Sequence, residues 1–272
     1  MSVPPRVRLL AVDLDFTLLD CERTIPPQNA EALRRAQQRG IQVVLCSGRI
    51  ASGMRLYAEE LGLTSPLISC NGAFVVTAEG KVLADYRVPV LVTRKVLLFC
   101  KEHRLPVNVY ANDTVHLVED GEWSRKYLQR VRRANIRWVS WEEMLRLSPN
   151  KIIILSDPMT IRDLYEEFSR GFQGEGVSLW ISEPEYLEFI SGVCDKGTGL
   201  QCVANDLGYG REEIAAIGDY YNDLPMLRWA GHSAAVANAP PEVQAEVDLV
   251  VPHHEEGGVA GYVDILVRTY GG

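Results

Sequence analysis

The sequence predicts an α/β protein, a doubly wound and mostly parallel sheet whose chain is interrupted by an inserted α+β domain. Three observations predict it. Short continuous apolar runs such as Leu9-Leu10-Ala11-Val12 and Val43-Val44-Leu45 suit parallel strands covered on both faces. Strand and helix patterns alternate from Arg8 to Ser69 and again from Lys196 onward. Between about residues 88 and 189 the rhythm changes to short strands with two or three helices.

Each element has its own signal. Arg8 to Asp15 reads as a buried strand running into acids. Pro26 to Gly40 reads as a helix: Ala30, Leu33 and Ala36 share a face, proline suits the first turn and Gly40 suits the position after the end. Ile41 to Leu45 is a second buried strand, 51–61 a helix, and 67–69 a strand that reaches Asn71-Gly72. A hairpin over 73–88 turns at Glu79-Gly80. In the insert, strands are expected at 107–110, 115–118, 151–155, 177–181 and 186–190. The alternation of Val177-Ser-Leu-Trp-Ile predicts a sheet with one exposed face. The α/β rhythm returns with a helix over 196–207, a strand at 214–217 and a helix over 222–229. Strands at 234–236 and 249–251 and a last helix opened by Gly257-Gly258 complete it. The domains are therefore 1–87 with 190–272 as the core, and 88–189 as the insert.

Composition narrows the function classes. The 272 residues are 47% hydrophobic, with 22 Gly and 14 Pro, which suits a globular chain. The net charge of −8 argues against a nucleic-acid or anionic-membrane binder, and no apolar run approaches the ~20 residues of a membrane span. The first apolar run stops at Asp13, too soon and too acidic for an export signal, so a cytoplasmic location is expected. Six cysteines without CxxC spacing read as reduced apolar fillers. The basic run Arg125 to Arg137 reads as a solvated helix face, and Trp138 and Trp141 as packing within the insert. His253-His254-Glu255-Glu256 lacks HExxH spacing and reads as a helix-entry loop. Gly208-Tyr209-Gly210 does not complete a dinucleotide fingerprint, and there is no Walker A loop.

Polar residues gather at the strand ends: Asp13 and Asp15, Ser47, and Gly218-Asp219. Open parallel sheets bind ligands there. Asp13 and Asp15, two apart in an extended chain, point to one side and repel unless a proton or a cation intervenes. With Asp219 they offer three oxygen donors and no soft ligand, which suits Mg²⁺. Lys196, Ser47 and Thr17 add a positive charge and two hydroxyls. Backbone N–H groups after Asp13 and at Ser47-Gly48 add donors, a set that suits a phosphate.

These segments also carry a resemblance. Asp13-Leu14-Asp15-Phe16-Thr17-Leu18-Leu19 resembles the DxDxT signature of the haloacid dehalogenase superfamily. Ser47-Gly48-Arg49, Lys196-Gly197 and Gly218-Asp219-Tyr220-Tyr221-Asn222-Asp223 resemble its second, third and fourth motifs, in order. The insert, Asn71-Gly72-Ala73 and Glu256-Gly257-Gly258-Val259-Ala260 are similar to the Cof-type, class IIB branch. The resemblance implies a Mg²⁺-dependent phosphatase of small phosphate monoesters, such as a sugar phosphate or related metabolite. Asp13 is then the nucleophile that becomes an aspartyl-phosphate, and Asp15 the acid and base. Mg²⁺ is held by Asp13, the Asp15 carbonyl and Asp219. Lys196 neutralises charge. Leu14, Thr17, Ser47, Gly48 and Asn222 contact phosphate, Asp223 orients the lysine or a water, and Arg49 and Asn71 line the substrate. A mutase on the same residues and a non-catalytic binder of a phosphorylated metabolite are the alternatives. Phe16 departs from the pattern, which has glycine there.

Overall fold

The computed structural model describes residues 6–131 and 133–270. The leader reading on 1–5 and Arg132 of the basic run lie outside the described residues. In chain order the first part comprises β1 (Leu9–Asp13), α1 (Pro27–Gln38), β2 (Gln42–Cys46), α2 (Ala51–Glu60), β3 (Leu67–Ser69), β4 (Phe74–Val76) and β5 (Val82–Asp85). Next come α3 (Val90–His103), β6 (Val107–Ala111), β7 (Thr114–Leu117), α4 (Glu122–Arg130), β8 (Ile136–Trp138) and α5 (Trp141–Met144). They are followed by β9 (Lys151–Leu155), α6 (Pro158–Gly171), β10 (Val177–Glu183) and β11 (Tyr186–Ser191). The last part is α7 (Lys196–Leu207), β12 (Ile214–Gly218), α8 (Leu224–Trp229), β13 (His232–Val236), α9 (Pro241–Gln244), β14 (Leu249–Val251) and α10 (Gly258–Tyr270).

The described chain divides into two compact units. One contains the chain up to Gly48, Arg55–Ala84 and the chain from Asp195 onward; the other contains Arg49–Met54 and Asp85–Cys194. Residues 49–54 fall in the second unit for a local reason. The Ser52 N–H donates to Asp113 Oδ1 at 2.7 Å, and the Ser52 hydroxyl accepts from the Asn135 N–H at 3.2 Å.

The first unit holds an eight-stranded sheet in the order β14-β13-β12-β1-β2-β3-β4-β5. The first six of these run parallel, and β4 runs antiparallel to β3. Strand order reverses at β1, which pairs with β2 on one side and with β12 on the other, so the switch point lies between β1 and β12. Every residue of β1 and β12 is buried, as the unbroken apolar runs require.

The second unit holds a six-stranded sheet, β10-β11-β9-β6-β7-β8, antiparallel except where β7 meets β8. Val109, Ile152, Ile154, Leu187 and Phe189 form its apolar core with Val96 and Leu97 of α3 and Ile161 and Phe168 of α6. The strand that carried the expectation of an exposed sheet face, β10, is half-buried along its length. β6, β9 and β11 are buried along their whole length. The buried Lys151 and Glu188 compensate each other by pairing at 2.9 Å, and Ser182 donates to the same carboxylate oxygen at 2.8 Å. The basic run is also not one helix face. α4 ends at Arg130 and β8 follows. Arg125, Lys126, Arg130 and Arg137 pair with Asp120, Glu122, Glu183 and Glu143. Trp138 is exposed rather than packed, while Trp141 packs against the core.

Candidate active site

β1 delivers Asp13 to the carboxyl end of the sheet, and the strand stops there. The next five residues, Leu14–Leu18, form a wide turn closed by the Leu19 N–H donating to Leu14 O at 2.9 Å. Asp15 therefore lies beyond the strand, on the turn, and the alternation rule for extended chains does not place it beside Asp13. It is half-buried. Phe16 adopts φ 60° and ψ 14°. The glycine-like conformation is thus kept without the glycine, at a cost of roughly 1–2 kcal/mol. The Phe16 carbonyl accepts from Asn238 Nδ2 at 2.9 Å, and its ring sits edge-on to His254.

Lys196 arrives from the first residue of α7. Asp195 caps that helix by accepting from the Thr198 N–H at 2.7 Å, and the Thr198 hydroxyl accepts from the Asp195 N–H at 2.8 Å. Two glycines set the depth of this helix start. A Cβ on Gly72, which has φ 89°, would lie 1.9 Å from Asp195 O, and one on Gly197 would lie 2.6 Å from Pro225 O. With no side chain at either place, the lysine reaches a cluster of acids while 1% exposed. Its Nζ donates to Asp13 Oδ1 at 2.6 Å and to Asp223 Oδ1 at 2.5 Å.

The third acid beside Asp13 and Asp219 is Asp223, not the Asp15 side chain. One carboxylate oxygen of each of the three lies within 4.8 Å of the others, and all three are buried. Both Asp223 oxygens are occupied, because Oδ2 accepts from the Asp219 and Tyr220 N–H groups at 2.9 and 3.0 Å. Asp223 thus fixes the lysine and the loop after β12. Thr17, expected to touch phosphate, is fully buried and donates instead to Asp219 Oδ1 at 3.1 Å. Its single hydroxyl proton is committed to that carboxylate.

The other expected contacts are also redistributed. The Ser47 N–H donates to Ile68 O at 2.9 Å, because parallel pairing with β3 continues past the end of β2; it is not an available donor. The Ser47 hydroxyl and Gly48 follow at the same strand end. Asn71, at φ 55°, is 3% exposed and accepts from Asn222 Nδ2 at 3.1 Å, so the two side chains brace each other. Arg49 belongs to the second unit. What the sequence reading missed is the spacing Lys196-Gly197-Thr198-Gly199: the capping threonine and the close-approach glycine that aim the lysine were legible there.

Electrostatics follow from burying three carboxylates with one ammonium. Burial pushes the Asp13 carboxyl up to about 7, against the pull of Lys196. Burial, then repulsion from Asp13 and Asp223, pushes Asp219 well above the ordinary carboxylate range. Burial disfavours the Lys196 charge, but Asp13 and Asp223 outweigh it and hold the ammonium well above its usual range. The cluster of three carboxylates is short of positive charge and offers hard oxygen donors.

A family model for haloacid dehalogenase-like hydrolases matches residues 10–263. The chain belongs to that family, as a Cof-type phosphatase. It is 26% identical over 267 residues to the pyridoxal phosphate phosphatase YbhA of Escherichia coli (strain K12), covering 94% of this chain and 97% of that one. It is 28% identical over 261 residues to the 5-amino-6-(5-phospho-D-ribitylamino)uracil phosphatase YcsE of Bacillus subtilis (strain 168), covering 93% of each. A crystal structure of a haloacid dehalogenase-like hydrolase from Bacteroides thetaiotaomicron superposes with a TM-score of 0.87 at 27% identity, covering 96% of this chain and all of that one. Among the described residues no helix is long and apolar enough to cross a membrane.

Proposed function

We propose that the protein hydrolyses a small phosphate monoester, a sugar phosphate or related metabolite, with Mg²⁺ as its cation and a phosphoryl group carried transiently on Asp13. The observation that carries this reading is the buried Lys196 ammonium bridging Asp13 and Asp223 beside Asp219, at the switch point of a parallel sheet. Lys196 holds Asp13 Oδ1 and thereby presents Oδ2 for attack on phosphorus. As that bond forms, the bond from phosphorus to the ester oxygen breaks, and Asp15 gives its proton to the departing alcohol. Asp15 then takes a proton from the water that attacks the phosphoryl-Asp13, releasing inorganic phosphate. The half-buried position of Asp15 on a turn suits a group that must exchange protons with solvent. Leu14, Ser47, Gly48 and Asn222 stand as the phosphate-contacting set.

The donor set fits a hard divalent ion. Among the described residues Asp219 keeps one carboxylate oxygen without a hydrogen bond, Asp13 Oδ1 has lone-pair capacity beyond its bond to Lys196, and three carboxylates face one ammonium. Asp13, Asp219 and the Asp15 carbonyl would hold Mg²⁺, which supplies charge neutralisation at the phosphoryl oxygens. The inserted domain, 88–189, is assigned substrate choice. The named relatives act on phosphate esters with nitrogen heterocycles, so a panel should include these beside sugar phosphates. The test is release of inorganic phosphate from that panel. Hydrolysis should stop with EDTA, return with Mg²⁺ and be absent in Asp13→Asn. Turnover by that variant, or transfer of the phosphoryl group to a second hydroxyl without phosphate release, refutes the reading.

A further inference from the structure

The cysteines were expected to be apolar fillers, and four of the six are buried, but Cys21 is exposed. It sits in the turn after the catalytic loop, where the Asp20 carboxylate accepts from the Thr24 N–H at 2.8 Å and from its hydroxyl at 2.6 Å. The fold brings this turn against the entry to α10, a segment more than 230 residues away. One ligating atom each of Cys21, His254 and Glu255 lies within 4.8 Å of the other two.

His254 is the anchor of this cluster. It is 3% exposed, and its Nδ1 lies 2.8 Å from Leu19 O. A carbonyl only accepts, so Nδ1 carries the proton and the neutral ring has its lone pair on Nε2. No described residue hydrogen-bonds Nε2. The ring is fixed by Phe16 edge-on at 5.8 Å and by His253 at 4.6 Å, and its backbone N–H by Asn238 Oδ1 at 3.1 Å. An imidazole oriented by a backbone carbonyl at one nitrogen, with its lone pair on the other, is prepared as a metal ligand. The helix-entry reading of His253 to Glu256 holds for the backbone, which forms one short turn into α10.

We propose that Cys21, His254 and Glu255 form a second cation site, which takes a borderline-soft divalent ion of the Zn²⁺ class. Thiolate, imidazole and carboxylate are the donors such an ion selects, unlike the all-oxygen set at Asp13 and Asp219. Ligand atoms around a tetrahedral Zn²⁺ stand about 3.5 Å apart, given metal–ligand bonds of about 2.0–2.3 Å. Cys21 and Glu255 are exposed, and the Cys21 thiol already hydrogen-bonds the Glu255 carboxylate; rotation about their own bonds closes the remaining difference while His254 stays fixed. Binding releases the thiol proton to solvent and leaves a fourth position for water.

Co²⁺ titrated into the full chain in a thiol-free reductant tests this. A thiolate-to-cobalt charge-transfer band should grow to one equivalent and be displaced by Zn²⁺. Cys21→Ser should abolish the band, and Glu255→Gln should weaken Co²⁺ binding by about tenfold or more. Cys202→Ser and Asp219→Asn should both retain it, since the first is outside the cluster and the second belongs to a site without sulfur. Both Cys21 and Glu255 are exposed, so folding of these variants is checked directly by circular dichroism. Absence of the band from the parent protein, its survival in Cys21→Ser, or unchanged affinity in Glu255→Gln overturns the proposal.

Discussion

Replacing Asp13 by Asn should abolish turnover and yet stabilise the cation-free protein at pH 8. Asp13 is 4% exposed, and burial lifts its carboxyl from 3.8 to about 7, with Asp223 and Asp15 adding to the lift and Lys196 opposing it. The folded chain therefore holds this proton more tightly than the unfolded chain does. The stability this gives is fully present below about pH 4 and is lost as the pH rises through 7. At about 1.4 kcal/mol per pH unit, the interval from 3.8 to about 7 corresponds to a loss of about 4 kcal/mol. Asn keeps the shape and an acceptor for Lys196 Nζ but carries no charge, and Lys196 keeps Asp223. In EDTA the variant should then exceed the parent by up to about 4 kcal/mol at pH 8 and by much less at pH 5. A chain of this size shifts by roughly 2–4 °C per kcal/mol. Urea unfolding at pH 5, 6, 7 and 8 measures this, alongside hydrolysis of an aryl phosphate. Millimolar Mg²⁺ should narrow the gap by neutralising the parent's carboxylates. A variant with the parent's pH slope, or one less stable than the parent at pH 8, refutes the electrostatic reasoning.

Other substitutions probe the same frame. Lys196→Met leaves three buried acids without their ammonium, so it should lose turnover and about 3–5 kcal/mol at neutral pH, with part of the stability recovered at pH 5. Thr17→Val removes the donor to Asp219 Oδ1 and should raise the Mg²⁺ concentration needed for half-maximal rate by about 10–100-fold, with little change in the saturated rate. Gly72→Ala puts a methyl 1.9 Å from Asp195 O at φ 89°, so both the unfolding midpoint and kcat should fall as the start of α7 is displaced. Phe16→Gly exchanges relief of a left-handed side chain for unfolded-state entropy and a lost ring contact; its stability should stay within about 1 kcal/mol of the parent in thermal unfolding.

The core was legible because its strands are buried on both faces and so are written as unbroken apolar runs. Leu67–Ser69 and Leu249–Val251 are observed with the borders the runs predict, and β1 and β2 shift by a residue or two. The turn after Asp13 was not legible, because Phe16 in a left-handed conformation runs against local preference and is held by Asn238, 222 residues away. Positions of the charged groups at strand ends were readable, and the resemblance implied the Lys196 pairings with Asp13 and Asp223; the Thr17 bond to Asp219 was not foreseen. Thr17 looks like a turn residue locally, and only the pairing of β1 with β12 brings it to Asp219; the packing of α7 on α8 brings Lys196 to Asp223. Cys21 and His254 failed the same way, since no local spacing links two segments at opposite ends of the chain.

The pairing of β1 with β12 also has a consequence during synthesis. β1 is a central strand, yet the partner for one of its edges begins at Ile214, about 200 residues after β1 ends. At about 5–20 residues per second, a ribosome takes roughly 10–40 s to supply it. For that time a strand that is apolar up to its terminal Asp13 offers an open ladder edge to any neighbouring nascent chain. Asp13 is thus made well before Lys196, Asp219 and Asp223, the groups that surround it in the folded chain.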